Sequence, residues 1–391
     1  VFQGDVPLGV EVLGRIDDGG ALKDEIVGHT ASLTCGVEVV LFGAPAGGPG
    51  GFKVKDFSVN LPPPSGIRVP TAPLQELVHR LFAAAGAPDT DAKRLADLLV
   101  QTDLRGVVSH GTRQTHGYVR LMLEGKVNPA PKISVVREMA TTRVLDGDGG
   151  MGHLPCYAGT EWAIECALKN GSAALTTRNH FHFGGASKYT RMAIERDCLA
   201  IAVSSHRYGL DPNKSVMGAS GGSPISFGLP GGGQPPLVLD MGCHFVPWDE
   251  EDFGRFPWAF FKQLGLAAVL QGLGGVLAGI YKPEFVPPRS PWEANQGAFI
   301  AVFAVEAFMP VDEFNREMDR YVGEARAMRP FPGQDQAELA GGMEWQRQQD
   351  YSLNGIPIGA EHRESLESIA AELGVATPFA QFESTRFGEE T

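Results

Sequence analysis

Apolar positions recur at helical spacing from residue 71 onward. Leu74, Leu77, Val78, Leu81 and Phe82 fall three or four apart behind Thr71, a residue able to cap a helix, and Gly86 stops the pattern. Asp89 or Thr90 can cap a second helix that carries Leu95, Leu98 and Leu99. Short apolar runs then alternate with helical stretches. They predict strands at 143–145, 173–177, 199–204, 237–240 and 298–304, and helices at 157–169, 187–195, 311–328 and 363–373. This alternation predicts an α/β domain flanked by helices at both ends. The longest apolar run, 264–280, contains Gln271 and glycines at 265, 272, 274, 275 and 279. It predicts a buried Gly-rich helix rather than a membrane span.

The first 66 residues have a different texture. Val10–Leu13 and Leu33–Phe42 read as strands, 17–20 as a turn, 43–51 as a Gly/Pro loop and 61–66 as a linker. The expected organisation is a small β-rich N-terminal appendage (1–66), a first helical part (67–140), an α/β part (141–305) and a second helical part (306–391).

Composition narrows the partners. Of 391 residues, 43% are hydrophobic and 20% charged, enough for a sizeable core and incompatible with global disorder. A net charge of −13 with no basic tract argues against nucleic acid and anionic membranes. A small anionic substrate stays open, because local Arg and Lys set the field of a cleft. The cysteines (Cys35, Cys156, Cys166, Cys198 and Cys243) are odd in number and form no C-x-x-C pair, which fits a reducing cytoplasm better than a disulfide framework.

Four stretches could carry chemistry. Residues 147–152 match G-x-G-x-x-G, but the next strand ends Thr176-Thr177-Arg178-Asn179, without the acidic residue a ribose requires. A glycine turn admitting a helix against a sheet is the simpler reading. Asp103-Leu-Arg-Gly-Val-Val-Ser109-His110-Gly111 sets a histidine in a polar loop, suited either to general acid work or to capping. Asn179-His180-Phe181-His182-Phe183-Gly184-Gly185 could face phosphate at a helix start. His180 and His182 could also ligate a metal, but no H-E-x-x-H and no nearby third ligand accompany them, so no metal is expected. Finally, Gly221-Gly222-Ser223-Pro224 precedes Asp240-Met241-Gly242, where a carboxylate ends an apolar strand and wants a partner or a helix to cap.

In this order the motifs resemble the malate/L-lactate dehydrogenase family of the non-Rossmann type, which includes ureidoglycolate, sulfolactate and diketogulonate dehydrogenases and Δ1-piperideine-2-carboxylate reductases. The resemblance runs from Val69 to Pro378. It rests on residues 103–111 with Tyr118, on His182-Phe-Gly184, on 221–230, on Val238-Leu-Asp240-Met241, on the helix at 264–279 and on Asn354-Gly-Ile-Pro357. It implies a non-Rossmann, mixed-sheet α/β cofactor domain, a helical domain built from both chain ends, and a homodimer. It also implies reduction of a 2-oxo acid or a cyclic 2-imino acid with NADH or NADPH. His110 would be the acid/base and Asp240 its neighbour. Ser109, His182, Gly184, Ser223, Pro224, Met241 and Lys262 would lie near the cofactor, and Arg113 would clamp the substrate carboxylate.

The sequence also departs from the family. Its G-T-N-P reads Gly221-Gly222-Ser223-Pro224, its G-G-x-K-G reads Ala259-Phe260-Phe261-Lys262-Gln263, and the arginine expected four residues after the histidine is Gln114. The segment between Asp240 and Lys262 is short. Phe260 either packs into the core or fills space a dinucleotide needs. The second case would leave a repurposed relative that binds a small acid, or does non-redox chemistry, without a cofactor.

Overall fold

The computed structural model describes residues 60–388, apart from Pro247. The strands expected at Val10–Leu13 and Leu33–Phe42 lie outside the described residues. Of the expected appendage only 60–66 is described, and Gly66 pairs with Phe387 near the other chain end.

Strand β1 (Ile67–Val69) leads into helices α1 (Thr71–Ala84) and α2 (Asp89–Asp103). Neither helix has the expected side-chain cap. Pro70 and Pro88 precede them with φ of −57° and −54° and extended ψ, so the ring sets the entry and Thr71 and Asp89 become the first helical residues. The apolar faces of these helices meet α3 (Thr115–Leu123), which the periodicity did not reveal, in one core around Leu81, Phe82, Leu95 and Leu99.

Strands β2 (Ser134–Glu138) and β3 (Thr142–Asp146) precede α4 (His153–Asn170). The helix begins four residues earlier than predicted. Pro155 falls in its first turn, where a missing N–H breaks no helical bond. Next come β4 (Ser172–His180), α5 (Ser187–Ile194), β5 (Cys198–His206), β6 (Pro224–Leu229) and β7 (Leu237–Gly242). Helices α6 (Glu250–Arg255) and α7 (Pro257–Leu270) follow, and then β8 (Gln296–Ala304). The strands form one seven-stranded sheet in the order β2-β3-β4-β8-β5-β6-β7. Only β3 and β4 run parallel, and every other neighbouring pair is antiparallel. This is the expected mixed sheet and not a Rossmann sheet. Helices α4 and α5 cover it through Ile164 and Tyr189, and Phe183, just before α5, stacks on Tyr189.

The Gly-rich segment differs from expectation. Helix α7 ends at Leu270 and continues as a π-helical stretch, Gln271–Leu277. Its inner side is tied down: Gln263 Oε1 accepts from Val246 N at 2.7 Å, and Gln271 Nε2 donates to His206 O at 3.2 Å. At Gly274 a Cβ would crowd the Ser205 backbone. Its outer side is not buried, since Trp258, Phe261, Val269, Val276 and Leu277 are each at least 60% exposed. The chain closes with α8 (Val311–Arg326), α9 (Gly342–Asn354), β9 (Ile356–Ile358), which pairs with β1, and α10 (Ala360–Glu372). Described residues from 67–127 and 351–382 thus share one helical core.

Candidate active site

A cleft of about 680 Å³ opens where the His110 loop, the start of α5, strand β7 and the segment before α9 converge. Its wall includes His110, His182, Gly185, Arg191, Asp240 and Glu344.

The His110 loop is anchored from its first residue. Asp103 is fully buried, and its Oδ2 accepts from both the N–H (3.0 Å) and the hydroxyl of Thr112. Thr112 Oγ1 in turn accepts from His362 Nε2 at 2.9 Å on α10. Gly111 is required here, because a Cβ would overlap the Asp103 carboxylate. Burial pushes Asp103 up to about 7, against its bonds to Thr112 and the nearby Lys188 ammonium. His110 Nδ1 meets Ser109 Oγ at 2.8 Å, so Nε2 is the ring nitrogen left to exchange a proton. Burial and then the Lys188 charge lower the His110 pKa, and Asp240 opposes them.

Opposite the loop, Asp240 lies inside β7 rather than at its end, since the strand runs on to Gly242, and it meets the start of a helix: its Oδ2 accepts from Ser187 N at 2.9 Å. A Cβ on Gly185 would lie 3.5 Å from that Asp240 oxygen and 3.7 Å from His110 Cβ, so the glycine separates the two side chains across the cleft. His182 is held by Tyr118, whose hydroxyl lies 2.5 Å from Nδ1. Burial raises the Tyr118 pKa and lowers that of His182 to about 3. The tyrosine therefore donates, and the imidazole is neutral with its proton on Nε2.

Two residues that the sequence did not single out complete the site, both on α5. Lys188 is buried, and its Nζ donates to His110 O at 3.0 Å. Burial pushes it down to about 7, with Asp240 and Asp103 pulling the other way. Gly184, at φ +82°, leaves the room that the Lys188 ammonium and the His153 ring occupy. Arg191 lies one turn further on and is also buried.

The other expected site residues divide. Ser109, Pro224 and Met241 line the cleft. Ser223 lies behind it, its hydroxyl 2.8 Å from Ser205 Oγ. Arg113 is not brought in, because its guanidinium pairs with Glu361 at 3.2 Å and is half exposed. Lys262 is not brought in either; it is exposed on α7 with its ammonium over the Trp258 ring. Phe260, one residue pair away, is 1% exposed and packs against Trp248 and Phe253, not into the cleft. The G-x-G-x-x-G loop spends its amides internally. Gly147 N and Gly149 N donate to Arg178 O and Asn179 O, Gly150 N to Gly147 O, and Gly152 N to His182 O, leaving none of these for a pyrophosphate. Among the described residues no group of three His, Cys, Asp or Glu is placed to hold a metal.

Comparison with known proteins bears on the fold and the family. The model of the malate/L-lactate dehydrogenase family matches residues 69–252 and 250–367. The malate dehydrogenase of Pyrococcus horikoshii is 30% identical over 347 residues, covering 79% of this chain and 96% of the relative. The NAD(+) ureidoglycolate dehydrogenase of Escherichia coli K12 is 24% identical, over 79% of this chain and 98% of its own. Among solved structures, that of the Pyrococcus horikoshii malate dehydrogenase superposes with a TM-score of 0.69 at 29% identity, over 80% of this chain and 97% of that one. The Δ1-piperideine-2-carboxylate reductase of Pseudomonas syringae shares the fold, with a TM-score of 0.59 at 20% identity over 78% and 99% of the two chains. Fold, cleft and relatives together define an NAD(P)-dependent dehydrogenase or reductase outside the Rossmann class. The chain belongs to the malate/L-lactate dehydrogenase family.

Proposed function

We propose that this enzyme reduces a small 2-oxo acid or a cyclic 2-imino acid, with His110 as the proton donor. The observation that carries the reading is the pairing of His110 and Asp240 across Gly185 in one cleft. A cleft of about 680 Å³, with Phe260 packed away from it and an unpaired buried guanidinium in its wall, suits NADH or NADPH together with a small acid. When bound, the dinucleotide supplies hydride to the substrate carbon.

The chain's own residues handle the proton. His110 gives it to the developing alkoxide oxygen or amine nitrogen, and Ser109 fixes the ring from behind. Asp240 favours the protonated imidazole and so opposes the burial and the Lys188 charge that would empty it. His182, neutral and held by Tyr118, offers an N–H without competing for the proton. Neither Arg113 nor Lys262 has a part in this scheme.

The exposed apolar side of α7 and its π-helical extension supports a homodimer. The free cysteines Cys156, Cys166, Cys198 and Cys243 suit a reducing cytoplasm. The net acidic charge gives no purchase for nucleic acid or anionic membranes. The test is steady-state oxidation of NADH and NADPH with pyruvate, oxaloacetate and Δ1-piperideine-2-carboxylate. Turnover with one of them, lost in His110→Ala, supports the reading. Equal turnover in that variant contradicts it.

A further inference from the structure

Among the described residues that line the cleft, Arg191 is the only arginine or lysine. It is 7% exposed, and its Nε has no hydrogen-bond partner. Glu344, Asp240 and Glu195 act on it electrostatically, yet none closes into an ion pair with it. A buried guanidinium left without an acceptor is costly, and an oxyanion fits its planar fork of donors.

The neighbouring cations are committed or stand outside the lining; Arg105 Nε is also without a partner, but Arg105 does not line the cleft. Lys188 Nζ donates to His110 O, Arg105 Nη1 to Gln101 O and Gln114 Nε2 to Ser109 O, while Arg113 pairs with Glu361. Arg191 alone is both buried in the cleft wall and unspent.

We infer that Arg191 is the anion receptor of the cleft, the residue that fixes a carboxylate or phosphate group of the bound ligand. This rests on the dehydrogenase reading, in which both ligands carry such a group: the acid its carboxylate, the dinucleotide its phosphates. Arg191 would do the work first expected of Arg113, from α5.

The experiment titrates the full chain and its Arg191→Met and Arg191→Lys variants with NADH and NADPH by fluorescence, and with oxalate by calorimetry. Folding is checked by circular dichroism. Loss of affinity of about tenfold or more in Arg191→Met, partly restored in Arg191→Lys, is expected for one ligand class. A change confined to NADH or NADPH identifies a phosphate as the anion, and a change confined to oxalate identifies a carboxylate. Unchanged affinities for all three in folded variants overturn the inference. If the native chain binds oxalate but neither dinucleotide, the dehydrogenase reading fails while the oxalate arm still tests Arg191. A native chain that binds none of the three overturns both. Should Arg191→Met not fold, Arg191→Lys carries the test, because it keeps the charge and removes the fork.

Discussion

Lys188 Nζ donates to the main-chain oxygen of His110 across 3.0 Å, so the helix that follows the His182 motif grips the loop that carries the acid/base. The contact links a buried ammonium to the position and proton affinity of the histidine. Lys188→Met removes both the bond and the positive charge. Reduction needs protonated His110, so kcat/KM for reduction falls as pH rises through the His110 pKa, which lies below the usual imidazole range. Without Lys188 that pKa rises, and the falling limb of the pH profile moves to higher pH. A limb that stays in place in a folded variant would remove Lys188 from any role at His110.

The loop also depends on Thr112, which satisfies the buried Asp103 carboxylate through its N–H and its hydroxyl. Thr112→Val strips the hydroxyl and leaves both Asp103 and His362 short of a partner. The expected cost is about 1–3 kcal/mol in urea unfolding, with kcat reduced more than KM changes. Thr112→Ser restores the hydroxyl and should recover most of both. Equal stability of the valine variant would mean that Asp103 finds its partner elsewhere.

Stability should fall in mild acid for a specific reason. Burial lowers His180 and His362 to about 4 and His182 to about 3. Between these values and about 6.5 the unfolded chain binds protons that the native chain refuses. Asp103, pushed up to about 7, works the other way over this range, but the three histidines outweigh one carboxyl, so stability declines as pH falls from 6.5 toward 4, each histidine contributing up to about 1.4 kcal/mol per pH unit. Urea midpoints at pH 7.5, 6.0 and 5.0 check the sign. Midpoints that hold constant or rise on acidification would contradict it.

Most of the fold was legible because its elements obey simple periods. Leu74 to Phe82 mark a helix by spacing, and Leu237–Asp240 mark a strand by its run. The family motifs located His110, Asp240 and His182, but pattern could not show which way the flanking cations turn. Lys188 and Arg191 are polar letters on α5, a helix buried almost along its whole length, so hydropathy points them to solvent while the fold encloses them. Arg113, adjacent in sequence to the expected arginine position, is drawn outward by Glu361, a partner 248 residues away. Phe260 could be read either way from sequence. Its side was decided by Trp248 and Phe253, which close an aromatic pocket away from the cleft.

The proposed homodimer is tested at Trp258 and Phe261, which are 60% and 63% exposed on an apolar helix. Burying such a face between two copies removes it from water. The native chain should be a dimer by multi-angle light scattering at micromolar concentration, and Trp258→Asp with Phe261→Asp should yield monomers. A monomeric native chain would refute this assembly.

If His110 is the proton donor, its removal should slow the chemistry and spare cofactor binding. The measurement is the rate of NADH or NADPH oxidation with the active acid, compared between the native enzyme and His110→Ala at matched cofactor saturation. Turnover in His110→Ala should fall by roughly 10²–10⁴-fold while dinucleotide affinity changes little. An unchanged rate in the variant would contradict the assignment of His110 as the proton donor.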